Sequence, residues 1–135
     1  MKEMLRLAGL KATSSRLSIL ELFSDECYPR DAEGILGCFK KDEIDLVTIY
    51  RTLSSLEEKG ILRRVDLHKE AKYYELNQKH HHHLICNGCG AIEKVRGCGI
   101  DKLSSQIISE SLGFVAVSDH SLEFFGTCKS CAQAA

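Results

Sequence analysis

Apolar residues recur at helical spacing through the first part of the chain and at strand spacing beyond it. Leu17, Leu20 and Phe23 follow the polar stretch Thr13-Ser14-Ser15-Arg16, which reads as a helix start. A second helix is predicted to restart at Pro29-Arg30-Asp31 and to carry Ile35, Leu36 and Phe39. Asp45 can cap a third, in which Leu46, Ile49, Leu53 and Leu56 form an apolar stripe, with Gly60 ending it in the C′ position. The period then changes to that of a strand. Runs at 61–65 and 73–76 flank the polar stretch 66–72, which reads as a hairpin tip. Three helices followed by a hairpin predict a winged helix-turn-helix.

A second module begins near His80. Its pattern predicts a strand through Leu84-Ile85, a short strand at 92–95 and a helix with Ile100, Leu103, Ile107 and Leu112. Strands are then expected around 114–117 and 122–125. The join at 77–79 is too short for a linker and reads as a hinge. The expectation is an α+β chain with a winged-helix domain over 1–78 and a small α/β domain over 79–135.

Composition narrows the class. At 135 residues and 44% hydrophobic, the chain can form one domain or two small ones, and disorder is not expected. No apolar run approaches the ~20 residues of a membrane helix. Met1-Lys2-Glu3 leads into no recognisable signal peptide, so a soluble cytoplasmic protein without membrane partners is expected. Lys+Arg 18 against Asp+Glu 19 offers no bulk signal for nucleic acid. The distribution of Cys and His changes that picture.

Cys86-Asn87-Gly88-Cys89 and Cys128-Lys129-Ser130-Cys131 are two Cys-x-x-Cys pairs about 40 residues apart. Seven cysteines, an odd number, argue against a disulfide scaffold and for a reducing compartment. Four thiolates in two tight turns match tetrahedral zinc, and Gly88 and Gly90 suit the first turn. Redox-active pairs are the rival reading. Cys27, Cys38 and Cys98 remain unassigned.

His80-His81-His82-His83 runs directly into the strand at Leu84. Side chains alternate along a strand, so His80 and His82 point one way and His81 and His83 the other. Each pair can chelate a metal, which implies two sites back to back. Glu75 precedes His81 and His83 closely enough to add an oxygen to their site. His120 and Asp101 are further candidates in need of partners, while His68 at the hairpin tip reads as solvated.

On the predicted third helix, burial of Ile49, Leu53 and Leu56 leaves Thr48, Tyr50, Arg51, Thr52 and Ser55 outward or sideways. Arginine pairs bidentately with guanine, and a tyrosine ring packs on a thymine methyl. Lys11, Arg16, Arg63 and Arg64 are placed to meet phosphates, although an ordinary solvated face is the plainer reading. Against an enzyme, neither His-x-Glu with Pro-Cys-x-x-Cys nor His-Glu-x-x-His occurs, and there is no phosphate-cradling glycine loop.

Taken together, the stretches Gly9 to Leu20, Leu46 to Leu53, His80 to Gly90 and His120 to Cys128 resemble the ferric uptake regulator family of bacterial metal-sensing repressors. The resemblance implies a winged-helix domain followed by a dimerisation domain. It implies a homodimer that binds inverted-repeat operators in double-stranded DNA when metal-loaded. Cys86, Cys89, Cys128 and Cys131 match the structural zinc ligands, and His80, His82, Asp101 and His120 a site within the dimerisation domain. Glu75, His81 and His83 match the regulatory site that bridges the two domains. Tyr50 and Arg51 match base-reading positions, and Lys11 a minor-groove contact.

Two departures touch the regulatory site. The loop at 27–31 has no His, and Lys94 stands where the family usually has a carboxylate, with Glu93 beside it. Glu93 can substitute only across a bulge. The site then has three ligands plus water, recruits Cys27, Asp31 or Asp66, or is degraded. Glu75 leans toward Fe(II) as the sensed metal, with zinc, manganese, nickel or peroxide sensing as alternatives within the family.

Overall fold

The computed structural model describes residues 1–24, 28–78, 80–97 and 99–134, and of Asp101 the backbone alone. Cys27 and Cys98, Lys79 at the expected domain join, and the proposed ligand group of Asp101 lie outside the described residues. The chain divides into two compact units, Met1–Gln78 and Lys79–Ala135.

The first unit contains α1 (Lys2–Leu7), α2 (Ser14–Glu21), α3 (Ala32–Leu36), α4 (Leu46–Glu58) and the hairpin β1 (Leu62–Val65) and β2 (Tyr73–Leu76). Three of its helices start on a side chain that satisfies an otherwise orphaned N–H. Thr13 accepts from the Arg16 amide, Asp31 from Gly34, and Asp45 from Thr48 at 2.6 Å. Past the end of α4, Gly60 takes φ 67, a left-handed conformation costly for a residue with Cβ. Leu5, Ile19, Leu20, Ile35, Ile49, Leu53, Leu56 and Leu62 close into a core that seals the inner face of α4.

Two expectations change here. α1 is an additional helix, placing Leu5 fully in the core. Thr52, expected to face outward or sideways, is buried instead. It lies directly beside the Leu53 stripe, on a helix with core on more than one of its flanks.

The second unit contains β3 (His82–Cys86), β4 (Ile92–Val95), α5 (Ile100–Glu110), β5 (Glu123–Gly126) and α6 (Lys129–Gln133). Its sheet has the order β4-β3-β5, with β3 antiparallel to β4 and parallel to β5. The strand expected around 114–117 does not form. Those residues have no ladder partner among the described residues, and Phe114 and Val115 are largely exposed. Leu112 falls beyond α5 and is likewise exposed. α6 was not expected from the pattern; Cys128 caps it, its sulfur accepting from the Cys131 amide.

Candidate metal centres and recognition helix

β3 and β5 lead into the two Cys-x-x-Cys turns, so the parallel pairing of Cys86 with Gly126 carries both turns to the same end of the sheet. One sulfur from each of Cys86, Cys89, Cys128 and Cys131 lies within 4.8 Å of the others. The Cys89 and Cys128 sulfurs are 3.7 Å apart. Tetrahedral zinc with bonds of about 2.3 Å separates its sulfurs by about 3.8 Å, so the donor set fits zinc. The amide of Cys128 donates to the Cys86 sulfur at 3.3 Å. With the Cys89 and Gly88 amides it holds the Cys86 thiol down to about 6. Cys131 is pushed up to about 12, because its S–H faces the sulfurs of Cys128, Cys89 and Cys86. The second pair does open a short helix after a strand, as a redox pair would. Convergence of all four sulfurs favours metal ligation over two separate dithiols.

On one face of β3, His80 and His82 meet His120 from the segment before β5, with ligand atoms within 4.8 Å of one another. The Nδ1–H of His82 donates to the Leu122 carbonyl at 2.9 Å. That fixes the tautomer and leaves Nε2 as a lone-pair donor. It lies 2.9 Å from Nε2 of His80, a separation that a shared proton or a common metal satisfies. A cleft of about 480 Å³ lined by His80, Ser104, Ser118, Asp119 and His120 opens beside the cluster.

On the other face, His81 and His83 are both buried, their ring centroids 5.0 Å apart. The β3–β4 register is regular, pairing His83 with Lys94 and Leu84 with Glu93. Directly opposed residues share a face, so Glu93 lies with Leu84 and not with His81 and His83. No bulge moves it. In the first unit, Glu75 is a buried carboxylate on β2. Asp31 is engaged as the α3 cap, and Asp66 accepts from the His68 amide at 2.8 Å.

Of the expected DNA-facing residues, Tyr50 and Arg51 are exposed on α4, while Thr48 is half-buried with its amide bound to Asp45. Lys11 is exposed, and Nη1 of the half-buried Arg16 donates to its carbonyl at 2.5 Å. The hairpin arginines, expected to be placed to meet phosphates, are each held in an ion pair. Arg63 binds Glu75 and Arg64 binds Glu57. The Arg63 pairing was missed. The signal that could have found it is the hairpin register, which sets Arg63 opposite Glu75 once the tip is centred.

A profile of the Ferric uptake regulator family matches residues 7–125. The chain is 37% identical over 124 residues to a ferric uptake regulation protein of Cupriavidus metallidurans, covering 89% of this chain and 85% of that one. The crystal structure of the Vibrio cholerae ferric uptake regulator superposes with a TM-score of 0.78 at 32% identity, over 94% of this chain and 98% of that one. The ferric uptake regulator of Francisella tularensis, solved with iron, gives 0.76 at 36% identity over 92% and 96%. With a matching profile over most of its length and relatives matched along nearly theirs, the chain belongs to the ferric uptake regulator family, whose members are transcription regulators and not enzymes.

Proposed function

We propose that this chain is a cytoplasmic homodimeric repressor that binds inverted-repeat operators when a regulatory divalent cation, Fe(II), is held by Glu75, His81 and His83. The observation that carries the reading is the chemistry of β3. The alternation that runs from His80 and His81, just before the strand, into His82 and His83 at its start presents one histidine pair on each face, beside but separate from the four-cysteine cluster. Cys86, Cys89, Cys128 and Cys131 would hold structural zinc, and His80, His82 and His120 a further ion, with Asp101 proposed as its fourth ligand.

Tyr50 and Arg51 are the proposed base readers, with Thr48, Lys11 and Arg16 positioning the helix on the backbone. The placement of Thr48, Tyr50 and Arg51 on α4, whose inner face is sealed by the core, supports this assignment. A bound divalent cation supplies the charge that a buried carboxylate and two imidazoles can share. Glu75 belongs to one unit and His81 and His83 to the other, so joint ligation would tie the units together. A dimer reads a two-fold operator only with its helices about 34 Å apart. Cation and operator are then linked: each raises affinity for the other by the same factor.

Homodimerisation is supported by the apolar surface of the second unit. Leu103 and Ile107 of α5, Phe114, Val115 and Phe124 are exposed. A single core in a module of fewer than ~60 residues is marginal, and metal or a partner copy adds to it.

The test is a gel shift with zinc-loaded chain and an AT-rich inverted repeat under Fe(II), Mn(II) or Zn(II), without oxygen. Specific retardation strengthened by Fe(II) is expected. Retardation that is identical with and without added cation would refute the repressor mechanism, and a response to Zn(II) alone would reassign the metal.

A further inference from the structure

Arg63 and Glu75 are directly opposed across the antiparallel β1–β2 pair. Nε of Arg63 donates to Oε1 of Glu75 at 2.6 Å. The Glu75 side chain is 9% exposed and that of Arg63 is 29%, so water screens the pair far less than an ordinary surface bridge. The pairing looks structural at first sight, since a buried carboxylate needs a compensating partner. Its position gives it a second consequence.

We propose that Arg63 is a built-in competitor for the regulatory cation, and so sets the concentration at which the protein responds. The inference rests on the assignment of Glu75, His81 and His83 as ligands of that cation. Glu75 would be the anionic member of that set, and one of its oxygens is already engaged by a guanidinium. A cation can then displace Arg63 from Glu75 or share the carboxylate with it. Displacement gives up a charge-assisted hydrogen bond. Sharing places a divalent ion beside a fixed positive charge that cannot be relieved by deprotonation, because arginine stays charged throughout the working pH range. Both routes weaken cation binding relative to an unpaired Glu75. In return, the metal-free chain keeps a compensated buried carboxylate, so Arg63 stabilises the state that the cation must convert.

The experiment is a Co(II) titration of the zinc-loaded full chain, read by visible absorption. The chain carries His120→Ala so that the other histidine cluster is disabled. Removing the charge with Arg63→Gln, whose amide can still donate to Glu75, is expected to tighten Co(II) binding by about tenfold. Arg63→Lys, which keeps the charge, is expected to stay within about threefold of the parent. Equal affinity for Arg63→Gln and the parent overturns the proposal. So does equal tightening by the Lys variant.

His83→Ala in the same background separates the two levels. If it binds Co(II) like the parent, the ligand assignment fails whatever Arg63 does. If it abolishes binding while Arg63→Gln changes nothing, only the competition fails. A second measurement needs no substitution at Arg63. Its Nε–H resonance in ¹⁵N spectra should shift and exchange faster with solvent as Zn(II) fills the site. A resonance that stays in place while the site fills refutes competition even if Arg63→Gln does not fold.

Discussion

Cys86 and Cys131 belong to one cluster, yet their thiols are displaced in opposite directions, to about 6 and about 12. Backbone amides stabilise Cys86 as an anion, while Cys131 is left as the S–H donor to its neighbours. Zinc ligation needs all four sulfurs deprotonated, so Cys86 is already favoured as an anion while Cys131 has to give up its proton to bind the metal. Cys89→Ser leaves three sulfurs in the cluster. It is expected to lose the bound zinc and the secondary structure of the second unit, as read by metal analysis and circular dichroism. A variant that keeps full structure without zinc would contradict this. His83→Ala should act elsewhere. It removes one imidazole from the face opposite the His80–His82 pair and is expected to leave cysteine-bound zinc in place. Metal-dependent operator affinity should fall by about 5- to 150-fold, the usual range for coupling between two sites. An unchanged metal response in the gel shift would remove His83 from the regulatory site.

Elements add what single residues cannot. Helix α4 is positioned at its start by Asp45, whose carboxyl is held below its ordinary value of 3.8, chiefly by the Thr48 amide. A carboxylate with a lowered folded pKa contributes stability above its unfolded pKa, and that contribution disappears as pH falls through the folded one. Asp45→Asn, still a competent cap but without charge, should therefore be less stable than the parent near neutral pH. The two should converge as the solution is acidified below the ordinary value. Thermal midpoints measured across that range test it, and a gap that stays constant would assign the cap no electrostatic part.

The same helix shows why α2, α3, α4 and the hairpin were legible in the chain. Each of the three helices has a polar cap followed by apolar residues at the proper period, and the hairpin has apolar runs around a polar tip, so each is marked by residues close together in the chain. α1 escaped notice because a six-residue helix with only Leu5 buried has too little periodicity to register. α6 is capped by a cysteine sulfur, which ordinary capping rules do not include. The run at 114–117 misled for the opposite reason. It has the composition of a strand, but a strand also needs a partner for its backbone, and the described residues offer none there.

At the scale of the whole molecule, burial is uneven. The hydrophobic cluster belongs to the first unit. Among the described residues of the second, Ile85 and Cys86 are the buried members of the hydrophobic set, and three histidines are buried alongside them. Bound zinc, together with the second copy proposed above, would supply the stability that so small a core does not. Ile107 is 49% exposed on α5, so replacing it costs little within one chain. Ile107→Asp is expected to convert dimer to monomer in sedimentation experiments while the zinc remains bound. A dimer of unchanged affinity would move the contact off this face.

What the chain determined by itself is the kind of chemistry available: two Cys-x-x-Cys turns, alternating histidines on one strand and a capped helix exposing Tyr50 and Arg51. These depend on neighbours in sequence, where spacing alone sets direction. Only the tertiary structure decided which groups are already engaged. The parallel pairing of β3 with β5 gathered four sulfurs, the regular β3–β4 register turned Glu93 away from His83, and the hairpin register gave Glu75 to Arg63. Those outcomes rest on contacts between residues far apart in the chain, and in a sheet a shift of one residue reverses each of them.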